Sequence, residues 1–125
     1  MSDTLSEAFK IQNKKLVTFI TGGDPDFETS SKIIKTLIDN KIDIIEIGMP
    51  FSDPMADGPT IQLSSNRSLA NEINLDDIFK LASNAKKLNR KIPIILMGYY
   101  NVVLYYGVKD FVKNCIVNGV DGLII

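Results

Sequence analysis

Four short apolar runs constrain this chain more than any other feature: residues 16–20, 42–47, 92–97 and 122–125. Most are rich in isoleucine or valine, and they lack the apolar–polar alternation of a sheet with one wet face. That pattern suits parallel strands buried on both sides. Amphipathic segments lie between them. Asp26 is placed to cap a helix running to about Asn40, with Ile33, Ile34, Leu37 and Ile38 on its apolar face. Asn74 is placed to cap the next helix, with Asp77 at the third position and Leu75, Ile78, Leu81, Ala82, Ala85 and Leu88 as its buried stripe. A third helix is predicted from about Val108 to Asn118, and Gly119 suits the left-handed position after it. A further amphipathic stretch, residues 3–13, precedes the first strand and could cap one end of the sheet. Strand and helix in alternation predict right-handed βαβ units and a parallel α/β sheet in sequential order.

No low-complexity linker interrupts the pattern, so residues 1–125 read as a single domain. Charge is nearly balanced, 14 basic against 15 acidic residues, which offers no electrostatic grip on nucleic acid or an anionic membrane. The polar N-terminus, residues 1–10, holds no apolar run long enough for a signal peptide or a membrane span. Cys115 is the lone cysteine, so no internal disulfide forms and a cytoplasmic, reducing setting is expected. Its neighbours Phe111, Val112 and Ile116 make it read as a small buried hydrophobe rather than a nucleophile. The chain has no histidine, which excludes a Ser-His-Asp triad within it and any histidine-ligated metal site.

The chemistry concentrates after the second run. Glu46 sits late in a strand that is otherwise mostly apolar. A charge there costs several kcal/mol unless it is paired. A carboxyl in such a place is suited to give and accept a proton near neutrality. The strand pattern equally admits a glutamate that reaches solvent at the strand end or pairs with a lysine. The segment that follows, residues 48–60, combines three prolines and two glycines with Asp53 and Asp57. Prolines stiffen such a loop and glycines permit unusual backbone angles. Plain turns at Asp53-Pro54 and Asp57-Gly58 remain open, and no EF-hand spacing is present. The whole connection, residues 48–73, is long for a compact α/β unit, as functional loops are. Its later part, residues 60–70, could form an extra helix.

At this point the sequence resembles a known family. The seventeen residues from Glu46 to Gln62 look like the hallmark of the tryptophan synthase alpha chain. Residues 19–25 resemble that family's first βα turn, residues 97–101 its third loop, and residues 119–122 its entry to the fourth strand. The likeness runs from about Phe9 to Ile125.

The resemblance implies the first half, four βα units, of a (β/α)₈ TIM barrel, and a lyase that splits indole-3-glycerol phosphate into indole and glyceraldehyde 3-phosphate. It makes Glu46 the general acid/base and Asp57 the carboxylate that holds the indole N–H. Phe19, Ile61, Met97 and Tyr99 are similar to residues that line the indole pocket, although each also suits ordinary core. The resemblance further implies docking on a tryptophan synthase beta chain in an alpha2-beta2 tetramer, with Pro50, Asp53 and Asn101 on the docking surface. No cofactor is expected in this chain, and pyridoxal phosphate is expected only on the beta chain.

The sequence stops inside its fourth strand, and a full barrel needs about 250 residues, so a piece of a longer protein is expected. The family's phosphate-binding loops come later in its barrel, which makes the 125 residues alone a poor or inactive enzyme. Two other readings fit the strand pattern. One is an unrelated doubly wound sheet, against which the motif from Glu46 to Gln62 speaks. The other is a non-catalytic half-barrel that assembles to cover its open sheet edges.

Overall fold

The computed structural model describes residues 3–125; Met1 and Ser2, where the polar N-terminal stretch begins, lie outside the described residues. Four strands, β1 (Val17–Thr21), β2 (Ile44–Gly48), β3 (Ile94–Met97) and β4 (Gly122–Ile124), form one sheet in the order β1-β2-β3-β4. All three pairings are parallel, as the buried apolar runs predict. Helix α1 (Asp3–Lys10) precedes β1, and α2 (Phe27–Asp39) joins β1 to β2. Two helices, α3 (Pro59–Ala70) and α4 (Leu75–Leu88), fill the long connection from β2 to β3, and α5 (Tyr100–Tyr106) and α6 (Val108–Val117) join β3 to β4.

Helix starts follow local chemistry. The Asp26 carboxylate accepts from the Thr29 amide at 2.7 Å and the Thr29 hydroxyl at 2.9 Å. Asn74 and Asp77 close a reciprocal capping box at the head of α4. Gly119 sits at φ 75° after α6, and a Cβ there would lie 2.8 Å from the Lys86 side chain. Glycine is therefore needed for both backbone angle and space.

Side chains alternate across the sheet. Ile45, Ile47, Ile94 and Leu96 point to the helices and are wholly buried. Burying each contributes roughly 1.5–3 kcal/mol. They pack with Ile34 of α2 and with Ile78, Phe79, Leu81, Ala82 and Ala85 of α4. At the far side, rings of Phe79, Tyr106 and Phe111 meet at centroid distances of 5.6 to 6.4 Å and tie α4, α5 and α6 together.

Several apolar positions sit farther out than periodicity suggests. Leu88, Val112 and Ile116 are exposed and Ile33 is marginally so, while Phe79 is buried. Helical spacing gives the direction of a stripe but not its width, and α2 and α6 each bury only a narrow line through Ile34, or through Phe111 and Cys115.

The strands are clamped at their starts. The Asp43 carboxylate, just before β2, accepts from the Leu16 amide at 2.9 Å. The Asp121 carboxylate, just before β4, accepts from the Ile94 amide at 2.9 Å and the Lys86 ammonium at 2.5 Å. Both devices use an acid at the foot of one strand to fix the foot of its neighbour.

Candidate active site

The other face of the sheet carries Phe19, Glu46, Gly48, Ile95 and Met97. Register sets Glu46 between Phe19 on β1 and Ile95 on β3. Gly48, two residues on, lies under the Phe19 ring: a Cβ at Gly48 would come within 2.7 Å of it. This glycine lets an aromatic ring lie across the strand end beside Glu46. Glu46 is half-buried, and among the described residues it has no lysine partner and no hydrogen bond. The ion-paired alternative is thus absent.

Asp57 closes the β2–α3 loop one residue before Gly58, the N-cap of α3. Its backbone carbonyl accepts from the Gln62 side-chain amide at 2.7 Å, while its carboxylate accepts no hydrogen bond from a described residue. Asp57 is also half-buried. Glu46 lies on a sheet face that is only partly covered, whereas Asp57 is folded back against the strand ends.

A crevice of about 20 Å³ brings the remaining candidates together: Phe19, Asp57, Ile61, Met97 and Tyr99 line it with Thr21, Gly48, Met49, Ser65 and Gly98. Its mouth lies at the C-terminal ends of β1, β2 and β3, the end where parallel barrels carry chemistry. Tyr99 braces the loop from the other side. Its hydroxyl accepts from the Ala56 amide at 2.9 Å, and its ring packs on Phe51 at 5.4 Å. The loop bearing Asp57 is thereby tied to the end of β3.

Larger hollows of about 710 and 630 Å³ lie at the opposite ends of the strands, lined by Lys86, Arg90 and the residues just before β3 and β4. Volume alone would pick those, but the carboxylates of the second, Glu7 and Asp43, are already engaged by Lys10, and by Lys15 and the Leu16 amide. Thr21 and Ser65 line the crevice without being singled out by sequence, although Thr21 stands inside the turn motif of residues 19–25.

Pro50, Asp53 and Asn101 do not join the crevice. Pro50 is buried under the loop, Asp53 is exposed and accepts from the Ser52 hydroxyl at 2.6 Å, and Asn101 is exposed on α5. Around them the same end of the molecule presents Met55 at 88% exposure and Tyr105 at 97%. Cys115 is buried in α6, and burial pushes its thiol up to about 11, in keeping with an inert core residue. No helix among the described residues is long and apolar enough to cross a membrane.

Comparison with known proteins places this geometry. The family model of the tryptophan synthase alpha chain matches residues 5–125. The tryptophan synthase alpha chain of Geotalea uraniireducens is 49% identical over all of this chain, which covers 46% of that protein. A crystal structure of tryptophan synthase subunit alpha from Legionella pneumophila is 37% identical, with a TM-score of 0.91 over 98% of this chain and 47% of that one. A structure of tryptophan synthase from M. tuberculosis, in an aminoacrylate-bound form, superposes with a TM-score of 0.90 at 28% identity over 98% of this chain and 51% of that one. The chain spans about half the length of the relatives it matches. Its four parallel strands correspond to the N-terminal half of their TIM barrels. With a matching family model along nearly its whole length and the hallmark loop folded at the strand ends, the chain belongs to the tryptophan synthase alpha chain family.

Proposed function

We propose that this chain supplies the acid/base half of a site that cleaves indole-3-glycerol phosphate to indole and glyceraldehyde 3-phosphate. The observation that carries the proposal is the crevice that gathers Asp57 with Phe19, Ile61, Met97 and Tyr99; Glu46 does not line it but is the register partner of Phe19 on the same sheet face.

The reaction is a retro-aldol cleavage. Glu46, protonated, gives its proton to the ring carbon that bears the glycerol side chain, and the ring becomes a cationic indolenine. The Asp57 carboxylate accepts a hydrogen bond from the ring N–H and offsets that charge. Glu46, now ionised, takes the proton of the side-chain hydroxyl nearest the ring. The carbon–carbon bond breaks, its electron pair returns to the ring, and indole leaves beside an aldehyde. Protons balance, since Glu46 ends as it began. A crevice of about 20 Å³ holds little more than one water. The indole ring therefore lies over its mouth against Phe19, on the open face of the sheet. The phosphate end of the substrate has its anchor in the half of the barrel that these residues do not span, so the 125 residues by themselves turn over slowly if at all.

The same reading makes the loop end of the molecule, with Pro50, Asp53 and Asn101, the face that meets a beta chain in an alpha2-beta2 assembly. The exposed Met55, Tyr100 and Tyr105 beside them suit an interface. Pyridoxal phosphate belongs to that partner and this chain uses none. The lone Cys115 favours a cytoplasmic setting.

The test is a chimera: residues 1–125 joined to the remaining half of the Geotalea uraniireducens relative. A folded chimera that releases indole from indole-3-glycerol phosphate supports the proposal. A cooperatively melting chimera that releases none refutes it.

A further inference from the structure

Helix α3 is attached to the molecule in an unusual way. Its buried residues are Ser64, Ser65 and Ser68, with no apolar residue among them. By contrast α4 buries Leu75, Ile78, Phe79, Leu81, Ala82 and Ala85. Apolar burial is non-directional and tolerates sliding. Hydrogen bonds fix distance and angle.

The bonds of α3 form a seam. Ser64, Arg67, Ser68 and Asn71, spaced three and four apart, share one face of the helix. They meet successive residues of the turn after β1. The Ser64 and Thr21 hydroxyls lie 2.6 Å apart, and Ser64 donates to the Ile61 carbonyl at 2.8 Å. A hydroxyl has one proton to donate, so Thr21 donates to Ser64. The Ser68 hydroxyl donates to the Gly22 carbonyl at 2.7 Å. Arg67 grips the Asp24 carboxylate with two parallel bonds of 2.7 and 2.8 Å. The Asn71 amide donates to the Pro25 carbonyl. At the head of the same helix stand Asp57 and Ile61, and Thr21 lines the same crevice as both.

We infer that this polar seam, with Arg67 and Ser68 at its centre, is a positioning device that sets where the Asp57 carboxylate and Ile61 sit relative to Phe19 and Glu46. Arg67 is ten residues from Asp57, about 15 Å along the helix, and touches no reacting atom. It acts by holding α3 in register against β1. A fork of two bonds fixes both the translation and the rotation of the helix, which a single point charge does not. The inference rests on the proposed lyase site, and it adds residues outside that site to its determinants.

The test uses Arg67→Met, Arg67→Lys and Ser68→Ala in the chimera. Arg67→Met and Arg67→Lys each lower kcat about tenfold, because small displacements of a catalytic group are costly, while KM moves less than threefold. Asp24→Asn added to Arg67→Met costs no further activity, since both residues act through one contact. A second readout needs no turnover: in the 125-residue chain, Arg67→Met speeds amide hydrogen exchange at residues 62–70, the hydrogen-bonded amides of α3, and leaves α4 unchanged. Ser68→Ala does the same through the Gly22 contact. Unchanged kcat in an active chimera would overturn the inference. So would a loss of activity matched by an equal loss of folded protein, which is what a merely structural contact gives. If the unsubstituted chimera releases no indole, the lyase reading fails by itself. Exchange then decides the seam: acceleration confined to residues 62–70 upholds it as the device that holds α3, and no acceleration rejects it.

Discussion

Replacing Asp121 with alanine gives the sharpest test of how the strands are held. Its carboxylate is 6% exposed at the residue level and accepts from the Ile94 amide at 2.9 Å and the Lys86 ammonium at 2.5 Å. Lys86 also donates to the Ile92 carbonyl at 2.6 Å. Truncation orphans an amide on a strand residue with no solvent access, at about 1–3 kcal/mol. It also strands an ammonium in a mostly buried position, and breaking such a pair costs about 3–5 kcal/mol. The Lys86 side chain keeps 15% exposure, so water recovers part of the second cost. The two losses overlap, and about 4 kcal/mol together is expected. With a urea dependence of about 2 kcal/mol per molar for a chain this size, the unfolding midpoint falls by about 2 M. Asp121→Asn keeps an acceptor for Ile94 and loses the charge, so it falls by roughly half as much. Adding Lys86→Met to Asp121→Ala recovers stability, because the stranded charge is gone. A midpoint shift below about 0.5 M in Asp121→Ala, at unchanged slope, would refute the clamp as an energetic feature.

Further outcomes follow from other parts of the molecule. The Tyr106 hydroxyl donates to Asp76 at 2.6 Å, and that bond, with burial, pushes the phenol up to about 12. The folded chain then holds the phenolic proton more tightly than the unfolded one, so this stability is complete below the ordinary phenol range and is lost as pH rises towards 12. In an ultraviolet titration Asp76→Ala should bring that ionisation back towards the ordinary value; an unchanged titration curve would count against the contact. The purified 125-residue chain should self-associate, because Leu16, Val17, Leu123 and Ile124 at the two sheet edges are all exposed. Sedimentation at tens of micromolar should reveal dimers or larger species, and a single monomeric boundary would contradict it.

Much of this architecture is legible in local signals. Asp26, Asn74 and Gly119 mark helix ends because caps and left-handed turns depend on near neighbours. The apolar runs give the parallel sheet, but the strand bounds differ by up to two residues, since pairing with a neighbour decides where a strand starts. Residues 42 and 43 lie outside β2, with Asp43 instead holding the foot of β1. Helix α5 is not signalled, because Tyr99 at its N-cap makes no side-chain cap bond. The polar face of α3 hides for another reason: its buried side is serine, which a search for apolar periodicity passes over. At the site, the motif from Glu46 to Gln62 identifies the loop. It does not reveal that Tyr99, 43 residues away from Ala56, braces that loop, or that Gly48 makes room for the Phe19 ring. Those contacts join segments distant in sequence and come into view only in the folded chain.

The central claim is that Glu46 is the acid and base of an indole-releasing site, and Glu46→Gln in the chimera tests it most directly. Glutamine keeps the size of the side chain and removes the transferable proton. Indole release, followed against the unsubstituted chimera, should fall at least about a hundredfold, with the melting temperature unchanged within a few degrees, because Glu46 makes no ion pair or hydrogen bond among the described residues. Indole release within a few-fold of the unsubstituted chimera would contradict the assignment of Glu46 and, with it, the proposed mechanism.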